Sequence, residues 1–107
     1  MRVLVWISFD LGVRGDYEGM YAFLDAHNAK ECGDSLGAVT FEYNNDLVKE
    51  LTKELRKAVQ FDKRSRVYLI FPGENKAYKG RFIIGKRKAP PWTGYGATGF
   101  DEEDTGG

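Results

Sequence analysis

The run VLVWISF, residues 3–9, ends abruptly in Asp10 and is followed by a loop holding Gly12 and Gly15. It is short and rich in β-branched and aromatic residues, which suits a strand and not a helix. Alternation sets Val3, Val5, Ile7 and Phe9 on one face and Leu4, Trp6, Ser8 and Asp10 on the other. Only the second face turns polar at its end. The first therefore packs under helices, while the second is expected to be half covered, by another subunit. A carboxylate closing such a strand is costly to bury unless it is solvated, paired or bound to a metal.

The same alternation of elements continues along the chain. Asp16 suits an N-cap, and Tyr17, Met20, Tyr21 and Leu24 recur at helical spacing, which predicts an amphipathic helix running to about Lys30 with Gly33 beyond its end. LGAVTFEY, residues 36–43, alternates as a strand. Asn44, Asn45 and Asp46 then offer capping chemistry before Leu47, Val48, Leu51, Leu55, Ala58 and Val59, which line one face of a second helix. On its outer face the pairs Glu50/Lys53 and Glu54/Lys57 would lend local support. RVYLIF, residues 66–71, is a buried strand stopped by Pro72 and Gly73, and YKGRFIIG, residues 78–85, is another that leads into Lys86, Arg87 and Lys88. Two strand–helix–strand units describe an α+β, ferredoxin-like sandwich, with helices on one face of a mainly antiparallel sheet and one short strand hidden around residues 31–35.

A chain of 107 residues fits one domain, here residues 1–96, followed by a flexible acidic tail over residues 97–107 that is too poor in apolar groups to pack. Trp92 and Tyr95, after Pro90 and Pro91, either fold back on the body or meet a partner. One cysteine, Cys32, and one histidine, His27, exclude an intrachain disulfide and a Cys/His zinc site; Cys32 reads as a small, half-buried residue at a helix end. No apolar run is long enough for a membrane span and no signal peptide is evident, so a cytoplasmic location is expected.

Charge is unevenly spread. Residues 1–48 carry three bases against eight acids, residues 49–100 carry thirteen bases against four acids, and the last seven residues add four acids. The basic stretch contains Lys79, Arg81, Lys86, Arg87 and Lys88, which strand alternation and the KRK run can set along one sheet edge. Such an edge would bind RNA or DNA in a salt-sensitive, sequence-independent way, or else form a solvated surface with no partner.

Phe9-Asp10-Leu11, the following loop and the aromatic helix start at Asp16, Tyr17, Tyr21 and Leu24, with Ser35 opening the next strand region, resemble the family of small CRISPR-associated endoribonucleases, VapD, the antitoxin ribonuclease GhoS and the SinR-like proteins. The resemblance spans roughly residues 3–71. Gly37 departs from it, standing where a large apolar residue is usual after the serine. In the CRISPR-associated members, the resemblance implies a homodimer whose two Asp10 carboxylates meet across the axis and hold a divalent metal, Mg2+. One carboxylate per chain suffices there only because a second copy adds its own. The metal would activate water for attack on a phosphodiester, making the protein a hydrolase, a metal-dependent endoribonuclease. Ser8, Arg14 and Ser35 would then contact nucleic acid. Against this, Asp10 can simply cap the loop that follows it, and Arg14 can pair with Asp10 or Asp16. A second function stands beside the first: a non-catalytic dimer that binds nucleic acid or a partner in a defence or toxin–antitoxin system.

Overall fold

The computed structural model describes residues 1–96. Its elements run β1 (Arg2–Asp10), α1 (Tyr17–Ala26), β2 (Lys30–Glu31), β3 (Leu36–Glu42), α2 (Leu47–Ala58), β4 (Arg66–Pro72) and β5 (Tyr78–Ile84). The five strands make one antiparallel sheet in the order β2-β3-β1-β4-β5, and the architecture is α+β.

β1 lies at the centre because it is apolar on both faces. Val5, Ile7 and Phe9 are buried with Val39 and Phe41 of β3, Val67 and Leu69 of β4, Met20 and Phe23 of α1, and Leu51 and Leu55 of α2. Each such side chain taken from water contributes about 1.5–3 kcal/mol, before conformational entropy is set against it. The other face of the sheet carries no helix. Leu4 and Tyr78 are exposed there, and Tyr78 meets Trp6 edge-on with centroids 5.5 Å apart.

Both helices start as their capping residues dictate. Asp16 accepts from the Gly19 amide and also from the Gln60 amide at 2.9 Å each, so one carboxylate caps α1 and ties it to the segment after α2. Asp46 accepts from the Lys49 amide, while Glu50 turns back to accept from the amides of Asn44, Asn45 and Asp46, each at 2.8 Å. Of the two ion pairs expected on α2, Glu54–Lys57 forms at 3.6 Å; Glu50 is committed to the loop amides and Lys53 is left to solvent.

The structure shortens α1. It ends at Ala26 and not near Lys30, because Asn28 takes the left-handed conformation (φ 53°) and Ala29 returns its amide to Leu24. Gly33 lies in the turn between β2 and β3, where Leu36 donates to its carbonyl. The strand expected around 31–35 is β2, one residue earlier and only two residues long. Cys32 is exposed and not half-buried. Trp92 and Tyr95 stand in solvent on a turn after Pro90, so neither folds back on the body. Gly37 is buried opposite Ile7, and a Cβ there would lie 3.3 Å from Leu24 Cδ2, so Leu24 fills the space a larger residue would take. The expected flexible tail lies outside the described residues. Among the described residues, no helix is long and apolar enough to cross a membrane.

Candidate nucleic-acid interface

The end of β1 where Asp10 stands is bordered by β4, by the loop that precedes β4, and by the chain leaving β5. Antiparallel register sets Asp10 opposite Arg66, the first residue of β4. Arg66 Nη2 donates to Asp10 Oδ2 at 3.0 Å, while the Gly12 amide lies at a long 3.4 Å from Oδ1. The hydrogen bond from Arg66 is the main cause that holds the Asp10 carboxyl below the ordinary range; partial burial opposes it, and Gly12 and the charges of Arg66 and Lys88 add to it. Asp10 is therefore neither enclosed by its own loop nor free. Its side chain is 55% exposed, and its partner is a cation from the neighbouring strand. Arg14 pairs with neither Asp10 nor Asp16.

The loop before β4 is held by its own hydrogen bonds. The Asp62 amide donates to Ser65 Oγ, while Asp62 Oδ1 accepts from the amides of Arg64 and Ser65 and from the Ser65 hydroxyl. This side-chain-to-backbone turn presents Lys63 and Arg64 outward. Gly85, with φ 73°, then passes so close to the Ser65 carbonyl that no Cβ would fit. That approach brings Lys86, Arg87 and Lys88 against the same loop. The result is a cavity of about 860 Å³ at the Asp10 end, bordered by Lys63, Arg64, Arg66, Lys86, Arg87 and Lys88.

A second hollow, about 360 Å³, opens beside it on the helix-free face and joins Ser8 and Asp10 to an aromatic floor. Tyr68 and Phe82 meet edge-on with centroids 4.9 Å apart. The Arg87 guanidinium carbon lies 5.3 Å from the Phe82 centroid and 5.9 Å from that of Tyr68, and the Arg66 carbon lies 5.7 Å from Phe82. Gly80 makes this floor possible, since a Cβ there would lie 2.6 Å from Tyr68 Cε2. Guanidinium groups over aromatic faces keep their N–H donors free for an anion or a base edge.

Of the residues that sequence singles out, Ser8, Asp10, Lys86, Arg87 and Lys88 come together here. Arg14 lines an adjoining hollow with Lys63 and Arg64. Ser35 contributes its backbone: its carbonyl accepts from the Phe9 amide at 2.9 Å. Lys79 is paired with Phe71 at the far end of β5, and Arg81 faces α2. Sequence reading missed Arg66, Lys63 and Arg64. The signal for Arg66 was its place at the head of a strand that had to run antiparallel to β1. The signal for the other two was the Asp-x-x-Ser spacing around them.

Among the described residues, no three His, Cys, Asp or Glu side chains gather as a metal cluster. Among the described residues, Asp10 is the one carboxylate bordering either hollow, and its Oδ2 already holds a guanidinium. No family model, curated protein or solved structure matches the chain.

Proposed function

We propose that this protein binds single-stranded RNA at the Asp10 end of its sheet. The observation that supports the reading is the cavity edged by six cations against, among the described residues, a single carboxylate, which Arg66 already neutralises. Phosphates supply what that cavity lacks, and Tyr68 and Phe82 offer the stacking surface that unpaired bases use. RNA in duplex form would present no free bases to that floor. The strand order is read as ferredoxin-like, with β5 added at one edge. A homodimer built over the exposed Leu4 and Trp6 face, and a cytoplasmic role in a defence or toxin–antitoxin system, belong to the same proposal.

The test is fluorescence anisotropy of labelled single-stranded RNA and DNA over a range of salt. Affinity is expected to fall steeply with salt, and Arg87→Ala is expected to weaken binding about tenfold, equivalent to ~1.4 kcal/mol. Salt-independent binding, or none at low salt, sinks the reading.

One observation favours a second reading, a Mg2+-dependent endoribonuclease. Asp10 stays ionised and half exposed at the end of the helix-free face, where a second copy could bring its own carboxylate. Mg2+ needs only one or two carboxylates besides water and phosphate. Cleavage that requires Mg2+, stops with a chelator and is lost in Asp10→Asn supports it; binding without turnover in the wild type leaves the RNA-binding reading alone.

A further inference from the structure

β5 is an edge strand, and its successive residues Arg81 and Phe82 face opposite sides of the sheet. Phe82 forms part of the aromatic floor beside Asp10, yet it also borders a groove of about 670 Å³ between α2 and β5, floored by Val48, Thr52 and Ile83. Lys49, Lys53, Arg56 and Arg81 edge that groove. Among the described residues none of these four has a carboxylate within ion-pair distance: Glu54 takes Lys57, and Glu50 is spent on the amides that open α2. Four uncompensated cations on an apolar floor are complementary to a chain of phosphates whose sugars and bases can lie on that floor.

We propose that the α2/β5 groove is a second segment of the RNA site. The strand leaves the Asp10 cavity, crosses the β5 edge at Phe82 and continues along α2. This rests on the RNA-binding reading and adds to it a path, and hence a minimum ligand length. A short oligonucleotide occupies the Asp10 end alone, whereas a longer one reaches both.

The experiment uses the full chain, oligouridylates of about four and about twelve nucleotides, and two variants. The first is Lys53→Ala/Arg56→Ala/Arg81→Ala, whose side chains are all exposed. The second is Arg87→Ala. Circular dichroism checks that each keeps its fold. The triple variant is expected to bind the twelve-mer at least tenfold more weakly, with the slope of log affinity against log salt shallower by about two, since each phosphate contact on a single strand contributes about 0.7. Its affinity for the four-mer stays within twofold of wild type. Arg87→Ala weakens both. Equal effects of the triple variant on the two lengths, or no effect on the twelve-mer, would overturn the groove path while leaving the Asp10 site intact. Competition at the groove by polyglutamate but not by RNA would overturn it in favour of an acidic protein partner. Failure of the wild type to bind either oligonucleotide removes both proposals.

Discussion

Asp10 shows how a single side chain changes meaning when its neighbour is known. Alone it was a solvated charge, a loop cap or half of a metal site; opposite Arg66 it becomes the group that holds a guanidinium in place over Phe82. Replacing it by Asn removes the charge and leaves Arg66 without its partner. RNA affinity is then expected to rise modestly, because one repelling charge is gone; anisotropy titration reads this. Gly80→Ala is the opposite experiment. Its Cβ would meet the Tyr68 ring, so Tyr68 must swing out of the floor at a cost of about 1–3 kcal/mol, and base-dependent binding should fall while the salt slope holds. The partner of Asp10 was legible only through the pairing of β4 with β1, and the need for Gly80 was not legible at all. Arg66 is 56 positions away in sequence, and the clash at Gly80 depends on which ring the register places over it.

The elements themselves were easier to see where a period was long enough to count. The α2 pattern and the parity of β1 both survive folding, because each buries one side against the same core. Leu51→Ala is accordingly expected to cost about 2–5 kcal/mol in chemical denaturation. The end of α1 escaped prediction since Asn28, a poorer left-handed residue than Gly33, closes it. The two-residue β2 is too short to show any period at all. Capping also fixes how the elements respond to acid. Asp10, Asp16, Glu50 and Asp62 are each held below the ordinary carboxylate range. The largest single cause is the Arg66 hydrogen bond for Asp10, the Gln60 amide for Asp16, the Asp46 amide for Glu50 and the Arg64 amide for Asp62. A carboxyl that is more acidic when folded than when unfolded adds stability above its unfolded value and loses it as pH falls through its folded one. The melting temperature should therefore be flat above about pH 5 and drop progressively toward pH 2, as followed by circular dichroism.

At the scale of the molecule, a formal charge of zero hides an acidic first half, a strongly basic stretch over residues 49–100 and four acids at positions 101–104. Replacing Asp101, Glu102, Glu103 and Asp104 by their amides makes the chain net positive by four and is expected to raise RNA affinity most at low salt. The uneven charge was visible in sequence, but its division was not. One set of cations gathers around Asp10 and another lies across the β5 edge against α2, a separation made by strand alternation and the Ser65–Gly85 approach.

The sheet's margins have a further consequence. One border, β2, offers two residues of backbone, and the other, β5, carries Lys79 and Arg81 within it. A margin that is short on one side and charged on the other makes a poor template for strand-by-strand growth. Concentrated protein should thus resist fibril formation, as thioflavin fluorescence would show, and copies that do associate must meet broadside.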